Sequence, residues 1–150
     1  FLLFLYNSYS QIFKFIINNY IYIHMTCFWD GIIRDLTQED LQLLNSDKNI
    51  NNKDFILLLK KNNRICENVK WQEEQLNIEL LKENYDMIKN YNEKNINQGY
   101  DCSSCDPFII LLSELFKINI HYNFNGNIIK YTYIEPRKTI NYKSNQSHFY

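Results

Sequence analysis

The chain has 150 residues, about one domain's length, and its 16 Lys and Arg against 17 Asp and Glu leave a net charge of −1, so it has no cationic excess with which to neutralise a phosphate backbone and no nucleic-acid partner is expected. Hydrophobic residues at 45% and aromatics at 16%, with three Gly and two Pro, exclude a disordered chain and can form a packed core. Four cysteines, Cys27, Cys66, Cys102 and Cys105, are too few and too unevenly placed for a disulfide scaffold, which points to a reducing, cytoplasmic compartment.

From Phe1 to Ile23 the sequence is apolar and aromatic, but Asn7, Ser8, Ser10, Gln11, Lys14, Asn18 and Asn19 interrupt it. No run of about 18 apolar residues exists to span a bilayer, no secretory signal is visible, and no membrane association is expected. The first Met is Met25, so residues 1–26 are read as a truncated or non-native start ahead of a single domain over 27–150. After Cys27, the positions Phe28, Ile32, Ile33 and Leu36 recur at helical spacing. Thr37 with Asp40 three residues on is a capping box that opens a second short helix through Leu44, and residues 45–52 read as an Asn-rich loop.

A third helix is predicted from about Lys53 to Lys61. A charged helical region follows between Trp71 and Tyr91, with Leu76, Leu80, Tyr85, Ile88 and Tyr91 as its apolar stripe. At Asp106-Pro107 a carboxylate can cap orphan N–H groups, and proline fits the first helical turn. The helix it opens, Phe108 to Lys117, is apolar nearly all round and belongs in the interior against a sheet. Ile118, Ile120, Tyr122 and Phe124 then alternate with polar residues, Asn125-Gly126 supplies a tight turn, and Ile129, Tyr131 and Tyr133 continue the alternation. Short strands are expected near Thr139 to Tyr142 and at His148 to Tyr150. The fold class is α+β, with a small, mostly antiparallel twisted sheet packed between helices.

A cysteine at the head of an amphipathic helix sits where backbone N–H groups and the helix dipole favour a thiolate, and Cys27 is placed there. A free thiol with a pKa near ~8.5 still needs a basic partner to act as a nucleophile at neutral pH. His24 is too near in sequence to face it across a cleft, and His121 falls on the polar side of a hairpin strand. His148, on a terminal strand, is the better base. Cys102-Ser103-Ser104-Cys105 carries one half of a zinc-ribbon spacing, which Cys66 and His121 would have to complete. It reads more simply as the loop before the Asp106 helix, and neither a metal nor a cofactor is expected.

Three segments in order resemble the ovarian tumour (OTU) family of papain-like cysteine proteases. Cys27-Phe28-Trp29-Asp30-Gly31-Ile32-Ile33 looks like that family's nucleophile at a helix head. The run from Asp106 through Ile120 is similar to its central helix leading into a core strand, and Ser147-His148-Phe149-Tyr150 looks like its final histidine-aromatic strand. The resemblance implies an OTU fold over 27–150 and a monomeric thiol isopeptidase acting on ubiquitin or a ubiquitin-like protein. It also implies Cys27 as nucleophile, His148 as general base and Asn145 as the residue orienting the imidazole, since Tyr150 stands where the family often has Asn or Asp. His24, Met25 and Thr26 occupy the position of the oxyanion loop, where the family usually has Asp-Gly ahead of the cysteine. The alternatives are an inactive OTU-like domain that binds ubiquitin or another protein partner, and a small zinc-binding interaction module.

Overall fold

The structure, a computed structural model, describes residues 27–144. Helix α1 (Cys27–Asp35) buries Phe28, Trp29, Gly31 and Ile32. Its C-terminal carbonyls would otherwise be orphans; the Lys48 ammonium donates to those of Ile33, Arg34 and Leu36, a cation placed at the negative end of the helix dipole. Helix α2 (Gln38–Gln42) opens on the expected capping box: the Asp40 amide donates to Thr37 Oγ1 at 3.2 Å, and the Thr37 amide donates to Asp40 Oδ2 at 2.8 Å. Asn51 caps α3 (Asn52–Lys61), which buries Phe55, Ile56 and Leu59.

Helix α4 (Ile78–Asn90) follows and is capped by Asn77. After a 3-10 turn over Glu93–Gln98, helix α5 (Pro107–Phe116) runs through the interior with all ten residues buried. It packs against α4 and against strands of the sheet. Strands β1 (Val69–Trp71), β2 (Glu74–Gln75), β3 (Asn119–Phe124), β4 (Asn127–Tyr133) and β5 (Thr139–Ser144) form one sheet in the order β2-β1-β4-β3-β5. The pairing of β3 with β5 is parallel and the other pairings are antiparallel, so the architecture is α+β with a mixed five-stranded sheet. Val69, Ile120, Tyr122, Tyr131, Ile140, Tyr142 and Ser144 are its buried residues. The β3–β4 turn is the expected Asn125-Gly126 pair, with φ of 50° and 88° as a two-residue turn of this hand requires.

The region from Trp71 to Tyr91 differs from the expectation of one helical stretch. Trp71 belongs to β1, residues 69–75 form a hairpin, and the helix begins only at Ile78. The turn residues Gln72 and Glu73 both take positive φ, 51° and 68°, a conformation usually supplied by Asn or Gly. Pairing with β4 holds it: the Gln72 amide donates to Lys130 O at 2.8 Å, and the Lys130 amide donates to Gln72 Oε1 at 2.9 Å. On α4 the buried residues are Leu81, Asn84 and Ile88, so the expected stripe is rotated toward Leu81. The strand expected at His148 to Tyr150 lies outside the described residues.

One ion cluster ties α2 to the segment before β5. The buried Asp40 carboxylate accepts from Arg137 Nη2 at 2.6 Å and from Lys138 Nζ, while Arg137 also donates to the Phe116 carbonyl at the end of α5. Burial alone would raise the Asp40 pKa; the bonds from Lys138, from the Thr37 backbone and from Arg137 outweigh it and hold the carboxyl down at about 2. A depressed carboxylate adds stability that is complete above its unfolded pKa and lost as pH falls through the folded one. Unfolding free energy measured in denaturant is therefore expected to lose about 2 kcal/mol between roughly pH 4 and pH 2, a loss that Asp40→Asn removes together with the stability it reports. At the end of α5, Lys117 is exposed and left-handed, with φ 54°. Lys117→Gly is expected to raise stability by about 1 kcal/mol, read as a shift in the denaturation midpoint at constant slope.

Candidate active site

Cys27 is the first residue of α1, half-buried and packed at the edge of the core. Phe28 and Trp29, the next two residues, fix that helix head. Their rings meet edge to face at 4.8 Å, Phe28 lies against Tyr100 at 4.5 Å, and Trp29 meets Phe108 of α5 edge to face at 4.9 Å. Tyr91 closes the cluster, 5.2 Å from Phe108 and 5.9 Å from Tyr100. The position of the cysteine is thus set by aromatic packing between the first turn of α1 and the first turn of α5.

Beneath Tyr100 lies the Asp106 carboxylate, fully buried. Oδ1 accepts the amides of Phe108 and Ile109 at 3.0 and 3.1 Å, which is the expected helix cap. Oδ2 accepts the Ser103 amide at 3.1 Å, and the Tyr100 hydroxyl reaches both oxygens, at 2.9 and 3.1 Å. The Asp106 amide donates to the Tyr131 hydroxyl at 3.1 Å, which in turn donates to the Ser104 carbonyl at 2.8 Å. The Cys102 thiol interacts with both the Asp106 carboxylate and the Tyr122 hydroxyl, and that hydroxyl is hydrogen-bonded to Ser144 Oγ at the end of β5. Desolvation pushes Asp106 up to about 6 against the opposing effect of these donors.

The sequence-predicted residues divide sharply. Cys27 stands at a helix head as expected, whereas His24, Met25, Thr26, Asn145 and His148 lie outside the described residues. His121 sits on β3, half-buried, opposite Lys130 of β4 and Asn141 of β5. Among the described residues no group of three or more His, Cys, Asp or Glu side chains could hold an ion. Burial pushes Cys66 up to about 12 and Cys105 to about 11, and raises Cys102 as well, so these thiols stay protonated at neutral pH and make poor ligands and nucleophiles. Residues 102–105 form the loop leading into α5, as the simpler reading expects. No helix among the described residues is long and apolar enough to cross a membrane.

What sequence reasoning missed is the set of side chains around Asp106. The Asp-Pro pair announces a cap and nothing more, because Tyr100, Cys102 and Tyr131 reach the carboxylate or its amide only through the folded chain. No family model, curated protein or solved structure matches the chain, so the reading of the site rests on its own residues and geometry.

Asp106 titrates in the opposite sense to Asp40. Its folded pKa, about 6, lies above the ordinary carboxyl value, so its contribution is full below about pH 4 and is lost as pH rises through 6. Denaturation measured from pH 4 to 7 is expected to show this loss in the wild-type protein and not in Asp106→Asn. The substitution also lowers stability at all pH values, by about 1 kcal/mol or more, because the amide nitrogen meets the Ser103 and Tyr100 donors.

Proposed function

We propose that this chain is an OTU-like thiol isopeptidase acting on ubiquitin or a ubiquitin-like protein in the cytoplasm. The observation that carries the reading is the half-buried cysteine at the head of a helix whose first turn is locked onto the capped end of the central helix. Such a cysteine is held in place and still reachable, and a thiol at a helix head is where backbone N–H groups and the positive end of the dipole favour a thiolate. The strand order supports the same reading. Strand β5 ends at Ser144, hydrogen-bonded to Tyr122, and His148 is three intervening residues further on, a reach of at most about 14 Å.

In this mechanism His148 takes the proton from the Cys27 thiol and Asn145 orients the imidazole. The thiolate attacks the carbonyl carbon of the amide at the ubiquitin C-terminus, forming a tetrahedral oxyanion held by backbone N–H groups at Cys27 and the Thr26, Met25 and His24 loop. The C–N bond breaks as the imidazolium returns its proton to the leaving lysine amine. Water, deprotonated by the same imidazole, then hydrolyses the thioester and frees the thiol.

The test is a ubiquitin probe bearing a C-terminal electrophile. A covalent adduct is expected on Cys27, located by peptide mass spectrometry and lost in Cys27→Ser and in His148→Ala. Reversible binding of ubiquitin without an adduct would instead show an inactive ubiquitin-binding domain. The absence of both adduct and binding would dismiss the OTU reading.

A further inference from the structure

We propose that the outer face of the sheet docks helix α4 of a second copy of this chain; the inference goes beyond the hydrolase reading and does not rest on it. Paired strand residues share a face, and neighbours along a strand alternate between faces. The register sets Lys70 opposite Thr132, Lys130 opposite His121 and Lys143 opposite Asn123, which places all three lysines on one face. Along β4 the same face carries Ile128 and, past the strand end, Ile134, whose amide continues the ladder to the Asn68 carbonyl at 3.0 Å. Helix α5 packs against β1, β3 and β4 on the opposite face, where the buried residues of the sheet lie. On the outer face no strand residue is buried, and Ile128 and Ile134 are 54% and 58% exposed.

No strand residue of the outer face is acidic. Glu73, in the β1–β2 turn, pairs with Lys130 at its rim at 3.4 Å, while Lys70 and Lys143 have no ion pair among the described residues. The complement is on α4. Its 13 residues span about 20 Å, the length of the six steps from Ile128 to Ile134. It buries Leu81, Asn84 and Ile88 in its own copy, and Glu79, Glu83 and Asp86, at steps of four and three, form an exposed stripe on the other side. None of these three carboxylates has an ion pair among the described residues. Lys82 and Lys89 stand to one side of the stripe, and Met87, on its other side, is 59% exposed.

The backbone groups of a sheet are paired in its ladders, so an occupant of its face must satisfy its own, as a helix does. Residues 1–26 contain Lys14 and no carboxylate, so that segment offers the lysines no partner. The face carries no Phe, Tyr or Trp on which bases could stack, which disfavours a nucleic acid. Helix α4 of another copy sets carboxylates against lysines and Met87 against the exposed isoleucines. Each copy presents both surfaces, so two copies can pair reciprocally about a two-fold axis. Exposed ion pairs contribute little singly, and the association is therefore weak and sensitive to salt.

Sedimentation equilibrium of the full chain under reducing conditions tests this against the monomer that the OTU resemblance implies. In about 50 mM salt the mass is expected to rise with concentration, and in about 0.5 M salt to fall toward that of one chain. Lys70→Glu with Lys143→Glu sets like charges against each other, as does Glu83→Lys with Asp86→Lys, and each pair is expected to weaken association about tenfold or more. Mixing the two double variants makes both reciprocal contacts complementary again and is expected to restore association, which misfolding of either variant would not do. A wild-type chain that stays monomeric at every concentration, association unmoved by the reversals, or no recovery on mixing would each overturn the proposal. None of these results changes what the ubiquitin probe reads at Cys27.

Discussion

A carboxylate held in the dark interior of the fold organises the rest of this structure. Asp106 sits at the junction of the central helix, the loop before it and the inner face of the sheet, and contacts from all three converge on it. Taking an anion out of water is costly, and the cost is tolerable only where donors replace the lost hydration. Two amides of α5, the Ser103 amide, the Tyr100 phenol and the Cys102 thiol do so here. Each donor comes from a segment that must therefore be in place for the charge to be accommodated, so the penalty of burial acts as a constraint on how those segments pack.

The two buried aspartates solve the same problem in opposite ways. Asp40 meets full positive charges on Arg137 and Lys138, which outweigh its desolvation and leave it strongly acidic. Asp106 meets only neutral dipoles and hydroxyls, which offset desolvation in part and leave it a weak acid. Geometry follows from that difference. The cations of the Asp40 cluster are partly exposed and fasten α2 to the strand connection from outside, whereas the neutral donors around Asp106 are fixed by the core and fasten the core to itself. The first arrangement tolerates movement of long side chains; the second does not.

Legibility in the sequence followed the range of the forces involved. The capping box at Thr37 and Asp40, the Asp106-Pro107 helix start, the all-apolar helix behind it and the Asn125-Gly126 hairpin are local events, decided by residues within four positions of each other, and each is found where the sequence puts it. The β1–β2 hairpin was illegible because its turn residues, Gln72 and Glu73, carry no turn signal; the amide and side chain of Gln72 borrow partners from Lys130, nearly sixty positions away. The parallel placement of β5 beside β3 was hidden for a similar reason, since alternation marks a strand and says nothing about its neighbours. At the site, Cys27 could be read from its place before an amphipathic helix, while the hydroxyls and thiol around Asp106 come from the loop ahead of it and from β4, a strand some 25 positions on, and share no spacing.

The same contrast separates the cysteines. Cys66, Cys102 and Cys105 are small polar-edged groups in surroundings that penalise a thiolate, each near a carboxylate, Glu114 for Cys66 and Asp106 for the other two, that adds repulsion to desolvation. The Cys102 thiol donates toward the Ser103 carbonyl at 3.7 Å, a contact that needs a protonated sulfur. Cys27 stands instead at a helix head, next to Phe28, whose ring lies against that of Tyr100. The fold thus seats the Asp106 carboxylate beneath Tyr100 and holds the half-buried Cys27 at the rim of the same aromatic cluster, fixed by its neighbours without being fully buried.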